Sequence, residues 1–296
     1  TGARLVMTPV VISESKRNLK EHITDLTQLY DRHHDPASRT TIGIAAHSAY
    51  DLGVDPVAEL AGLARSLDTI FHLHLAETQE ESADLERKFG QSITRILYDN
   101  GVFDGRVLAA HSVWVDRSDI ELMAEGEVAV AHCPVSNMKL GAGIAPLVDL
   151  RAAGVTVGYG TDGPASNDSL DLWEEVKIAP LLARVQALDS TAITAAETLA
   201  MATREGAAAV GLHDTGSLIA GNAADMIRLD LAQSTFVPVT SPDELIAHLA
   251  WSGSNRLVTD VWVAGKQVVV GGEVQTVDTE RARAQVQERA RRLAGS

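Results

Sequence analysis

Residues 69–78, TIFHLHLAET, decide how the rest of the chain is read. Ile70, His72 and His74 alternate with Phe71, Leu73 and Leu75. That is the period of a β-strand, so both histidines share one face. Glu77 follows His74 by three residues, and in a strand that runs into a loop this spacing aims a carboxylate over the last inward side chain. A histidine and a carboxylate so placed can hold a metal and move a proton.

The same design recurs. TIGIAA (41–46) runs into His47, RVLAA (106–110) into His111, VAVA (128–131) into His132, and VTVGYGT (155–161) into Asp162. Strand-like runs separated by helical stretches imply βα units and a parallel α/β sheet. In a (β/α)8 TIM-type barrel the C-terminal strand ends converge on one active site. A single histidine after a strand is ordinarily a satisfied structural residue, but five polar strand ends form a pattern.

The spacing predicts a helix over 15–30, with Leu19, Ile23, Leu26 and Tyr30 on one face and Ser13 or Ser15 as its cap. Pro56 opens another helix that ends at Ser66. Glu80, Glu81, Asp84 and Glu86 read as a solvated helical face. HCPVSNMKLGAGIAP (132–146) is rich in Pro, Ser, Asn and Gly and reads as an irregular loop of the kind on which binding residues collect. Helices are expected over 170–188 and 192–210. From Gly216 the texture is strand-like, with a turn at Ala264-Gly265-Lys266 and Asp225 as a turn residue, before an amphipathic helix from Thr279 to Leu293. The expected organisation is a barrel portion over 1–215, part of a small β-sandwich over 216–278, and a C-terminal helix over 279–296. Counting ARLVM (3–7) as a strand gives six βα units, strands 3 to 8 of the eight a closed barrel needs. The first two units are expected to be missing from the front of this chain.

With 296 residues, the chain can bury a large core. A net charge of −15 disfavours nucleic acid and anionic membrane surfaces as partners and leaves small molecules. No apolar run approaches membrane-spanning length, and TGARLVMTPV at the start lacks a signal-peptide pattern. The single cysteine, Cys133, excludes an intrachain disulfide and fits a reducing, cytoplasmic setting.

Numbered from the missing units, His74 ends strand 5, His111 strand 6 and Asp162 strand 8. Together, HLAET, HCPVSNMKLGAGIAP and GTDGPASND make the chain similar to the amidohydrolase superfamily. The branch it resembles holds methylthioadenosine/S-adenosylhomocysteine deaminases, guanine deaminases and s-triazine hydrolases. The resemblance covers His47 to about Val277. It implies a distorted (β/α)8 barrel with a β-sandwich, and one Zn or Fe ion bound by a His-x-His pair on strand 1, by His74 and by Asp162. His72-Leu-His74 is formally such a pair. Reading it as strand 1, however, would leave too few strands for His111 and then Asp162, so the true pair has no counterpart here. The resemblance further implies that Asp162 accepts a proton from the attacking water, that Glu77 carries it to the leaving nitrogen, and that His111 stabilises the attacking hydroxide or the tetrahedral oxygen. His47 resembles the contact to a purine ring nitrogen and is equally a helix-capping or packing residue. Arg17 is a candidate for meeting the ribose or amino-acid tail. Ser136 and Asn137 are expected to shape the strand 7 loop, His132 to orient it, and His72 to be structural. The implied reaction is hydrolytic deamination of S-adenosylhomocysteine, methylthioadenosine or adenosine. Guanine, 8-oxoguanine and s-triazine hydrolysis are alternatives from the same branch. A scaffold that kept the fold and lost the chemistry is the alternative from another class. A homo-oligomer is expected.

Overall fold

The computed structural model describes residues 2–15 and 17–295. Its first strands are broken in matching places. β1 (Leu5–Met7) and β2 (Val10–Val11) flank Thr8-Pro9, where proline has no N–H to give a ladder. β3 (Thr40–Ile42) and β4 (Ile44–Ala46) flank Gly43. At Gly43 a Cβ would lie 2.7 Å from Ile70 Cγ2 and 2.8 Å from Thr8 Cγ2, so only glycine lets the neighbouring chains close in. β5 (Phe71–Leu75), β6 (Val107–His111), β7 (Ala129–His132) and β8 (Val157–Tyr159) follow. β1 pairs with β3, and β2, β4, β5, β6, β7 and β8 form one sheet in chain order, every pair parallel. The sheet is open, with β2 and β8 as its edges.

Alternation sorts the two faces. Phe71, Leu73 and Leu75 are buried in the main core with Val107, Ala109, Val130 and Val157, under the outer helices. Ile70, Leu108 and Ala129 form a smaller inner cluster, closed by Ala209 of the helix Arg204–Ala209. That helix comes so close to β8 that a Cβ on Gly158 would lie 2.6 Å from Gly206 Cα.

The fold corrects several expectations. The first helix runs Leu19–His33, and its cap is Asn18, in a capping box with Glu21, rather than a serine. The stretch after His132 is not irregular. It opens with a helix, Pro134–Leu140, because Pro134 suits the first turn and Gly141 accepts the left-handed stop. The helix expected over 192–210 is two, Ala195–Met201 and Arg204–Ala209. Helix Gln79–Phe89 does not present all its acids to solvent, since Glu81 is half-buried.

Beyond residue 215, β9 (Met226–Leu229), β10 (Val258–Val263), β11 (Lys266–Val270) and β12 (Glu273–Val274) make an antiparallel sheet of order β12-β11-β10-β9. Ala264 and Gly265 both hold positive φ, 49° and 75°, as a two-residue hairpin turn requires. Between β9 and β10 lies a helix that the strand-like texture does not announce, Pro242–Ser252. It packs on the helices Leu172–Ala187 and Ala195–Met201, with Trp251 under the Arg184 guanidinium. Asp225 is more than a turn residue. It accepts two bonds from Arg4, at 2.6 and 3.0 Å, and one from the Ala264 N–H at 2.7 Å, so it ties the N-terminal segment to the hairpin. The last helix, Thr279–Leu293, buries none of its side chains, so its apolar stripe closes nothing within this chain.

Candidate metal centre and catalytic site

The site lies where β4, β5, β6 and β8 end. His72 and His74 share the inner face of β5, as the pattern requires, yet their surroundings differ. His72 sits deeper, its Nδ1 3.1 Å from the Thr8 hydroxyl, and burial pushes its pKa down to about 4. His74 is at the mouth. Its Nδ1 lies 2.8 Å from the His47 carbonyl oxygen, an acceptor only, so Nδ1 carries the proton and Nε2 is left with its lone pair.

His111 reaches the site by a backbone device. Its register partner is Leu75, which faces outward, so regular pleating would turn His111 away. Instead His111 holds φ 70° and Ser112 φ 49°. The ring thereby comes to lie 5.3 Å from that of His74, with Nε2 3.7 Å from Glu77 Oε2. Asn137 Oδ1, 2.9 Å from Nδ1, accepts the ring proton and leaves the His111 Nε2 lone pair free. Asp162, at φ 61°, accepts from Ser136 Oγ at 2.7 Å and Ser166 Oγ at 2.6 Å. Desolvation works to raise its pKa, but these hydroxyls, the Gly163 N–H and His111 outweigh it and hold the carboxyl below its ordinary range.

One ligand atom from each of His74, His111 and Asp162 lies within 4.8 Å of the others. Among the described residues this is the one such group of three or more. Two imidazoles with free Nε2 atoms, each held from behind at Nδ1, and an oriented carboxylate fit a divalent ion of the zinc type.

Glu77, His74 and His47 line one cavity of about 320 Å3 with Tyr50, Thr78 and Glu81. The His47 ring is 4.9 Å from that of His74, and its Nδ1 is 3.7 Å from Asp51. Burial, reinforced by Glu77, raises Glu81 to about 7. Arg17 is not drawn into this group. It is half exposed and pairs with Asp25 on the following helix. His132 does not join the convergence either. It is in register with Tyr159, whose hydroxyl bonds Thr198 in the outer helix layer at 2.8 Å, so the histidine shares the outer face. There it is 2 % exposed, and burial lowers its pKa to about 4.

Sequence reasoning passed over Glu175. This fully buried carboxyl accepts from the Val135 N–H at 3.1 Å and from Asn167 Nδ2 at 2.7 Å, and burial raises it to about 7. The available signal was local: an acid at the inward spacing of helix Leu172–Ala187, beside Val176, Ala179 and Ala183.

Parallel strands whose ends bring together two histidines, an aspartate and a nearby glutamate define an α/β protein with a candidate metal site. The sequence model of the Amidohydrolase family matches residues 1–268, and the chain belongs to that family. It is 40% identical over 255 residues to a 5-methylthioadenosine/S-adenosylhomocysteine deaminase of Pelotomaculum thermopropionicum, covering 86% of this chain and 58% of that protein. It is 34% identical over 283 residues to the enzyme of the same name from Bacillus cytotoxicus, covering 95% and 64%. The chain therefore spans about three-fifths of the length of these relatives. Among solved structures, an adenosine deaminase from Xanthomonas campestris with bound zinc superposes with TM-score 0.93 at 33% identity, covering 100% of this chain and 67% of that one. An atrazine chlorohydrolase from Arthrobacter aurescens complexed with zinc gives 0.88 at 26%, covering 97% and 66%.

Proposed function

We propose that this chain carries most of the catalytic barrel of a hydrolytic deaminase acting on adenosine-type substrates: S-adenosylhomocysteine, methylthioadenosine or adenosine. The observation that carries the reading is the Glu77 carboxylate, set against His111 beside the His74–His111–Asp162 cluster. The names and zinc content of the relatives support it. His74 and Asp162 would hold the ion, zinc in preference to iron, with His111 close enough to join or to hydrogen-bond. When bound, such an ion polarises water and the ring carbon–nitrogen unit.

The chain's own groups do the rest. Asp162, kept ionised by its two serine hydroxyls, is set to take a proton from the attacking water. Glu77 is set to carry that proton on to the exocyclic nitrogen. Water then adds at the ring carbon, that carbon's bond to the amino nitrogen breaks, and ammonia leaves. His111, its Nδ1–H engaged by Asn137, presents the Nε2 lone pair, which would accept from the O–H of the attacking water or hydroxide. His47 lies where a purine ring nitrogen could be met. Arg17 would have to leave Asp25 to reach a ribose or amino-acid tail.

In the same reading the six parallel strands are strands 3 to 8 of a (β/α)8 barrel, and β9 to β12 are part of a β-sandwich. The domains are 1–215, 216–278 and 279–296. The open edges at β2 and β8 favour association with further strands or copies. Among the described residues no helix is long and apolar enough to cross a membrane; a cytoplasmic setting is part of the proposal.

Ammonia release by the complete enzyme tests the substrate class. S-adenosylhomocysteine or methylthioadenosine should give a kcat/KM at least tenfold above guanine or a chloro-s-triazine. The reverse preference moves the protein to guanine, 8-oxoguanine or triazine chemistry, the last favoured by its likeness to the atrazine enzyme. Failure with all of them would leave the scaffold reading.

A further inference from the structure

We propose that Glu175 is the positioning residue of this site: one buried carboxylate that sets the aim of both Asp162 and His111 through two short helices it does not belong to. The proposal rests on the reading of Asp162 and His111 as working groups.

Glu175 is 0 % exposed and has two partners, neither of them a cation. A buried carboxylate without a counter-charge costs far more than an apolar residue of the same shape, so its presence in the helix Leu172–Ala187 calls for something an apolar side chain could not do.

Its two oxygens act in different directions. Oε2 accepts from the N–H of Val135, an orphan donor in the first turn of helix Pro134–Leu140, whose own cap residue Cys133 gives that turn no side-chain cap bond. The next two residues are Ser136, which donates to Asp162 Oδ2 at 2.7 Å, and Asn137, which accepts from His111 Nδ1 at 2.9 Å. Oε1 accepts from the side-chain amide of Asn167, the last residue of helix Pro164–Asn167. Ser166 beside it donates to the same Asp162 oxygen at 2.6 Å. Glu175 thus grips each helix one or two residues from the groups that orient the site. Ser136, Asn137, Ser166 and Asn167 are all buried, so none can draw on bulk water for a substitute partner.

The experiment uses the chain as it stands and reads structure, not turnover. In 15N-labelled protein, the His111 ring nitrogens report which one carries the proton, and amide exchange reports the Val135 N–H. Glu175→Leu should make the Val135 amide exchange at least tenfold faster and move His111 away from a single Nδ1–H tautomer, while the β10 and β11 amides keep their protection. Glu175→Gln keeps the shape and one acceptor and should give a smaller change in the same two signals. Should the leucine variant fail to fold, the glutamine variant decides. The idea is overturned if a folded variant keeps the wild-type His111 tautomer, even with faster exchange at Val135, because Glu175 would then be a helix cap and nothing more. Neither signal depends on substrate, so an error in the assigned reaction would leave this result readable.

Discussion

The mouth of the parallel sheet and the antiparallel sheet answer their acids in opposite ways. In the second region Asp225 is met by both arms of Arg4, whose guanidinium holds it below the ordinary carboxyl range, and Asp260 pairs with Arg228 at 2.5 Å. At the mouth, Asp162 is met by two hydroxyls, and Glu175 by an N–H and an amide. Arginine neutralises a carboxylate permanently, which suits a joint. Neutral donors orient a carboxylate and leave its charge available, which suits a group that must meet an ion or give up a proton.

The strongest way to break this contrast is at Glu77. In the complete enzyme Glu77→Gln should lower kcat by about 100-fold or more while bound zinc stays at its wild-type content, because the lost function is proton carriage. Near-normal turnover would remove Glu77 from the reaction.

A second test uses acid. His132 titrates at about 4 in the fold, against about 6.5 in the unfolded chain, so lowering the pH protonates the unfolded chain first. The stability this residue lends is whole above about 6.5 and drains away as pH falls towards 4, about 2 kcal/mol of it between pH 7 and pH 5. In denaturant midpoints at the two pH values, His132→Phe should remove about 2 kcal/mol of acid sensitivity over this interval relative to the unsubstituted protein, in which His72, Glu81 and Glu175 also titrate with shifted values. An equal acid sensitivity in the variant would place its source elsewhere.

The smallest effect belongs to the joint. Arg4→Ala should cost about 1 kcal/mol in chemical denaturation and leave zinc content and kcat unchanged, as partly exposed ion pairs are worth little. A coupled fall in kcat would mean that the two regions are not separable.

What could be read from residues alone follows the range of the forces involved. The inner and outer faces of β5 were legible because period-two alternation is a local property of His72 to Leu75. So was the hairpin at Ala264-Gly265. The helix Pro134–Leu140 was hidden by its own composition, since Pro, Ser and Asn serve loops and helix first turns alike. That His111 belongs at the mouth was legible from its place after a strand, but the left-handed φ that turns it there was not. His132 obeyed the pleat and faced outward, although its place in the motif is the same. A local helix pattern marked the burial of Glu175 but not its partner, because Val135 lies forty residues before it.

The left-handed residues at the strand ends have a consequence for anyone who would engineer this protein. Ala76, His111, Ser112 and Asp162 all hold φ between 49° and 70°, a conformation that costs a side chain about 1 kcal/mol each and costs glycine almost nothing. A library selected only for heat resistance will therefore drift towards glycine where no bonded side-chain partner is lost. At Ala76 and Ser112, neither of which supplies a ligand atom, the drift relaxes the backbone and keeps the ligand set. At His111 and Asp162 glycine would instead leave buried Asn137, Ser136 and Ser166 without their partners, a loss larger than the relaxation, so the strain at the proposed ligands is held in place by the groups that orient them.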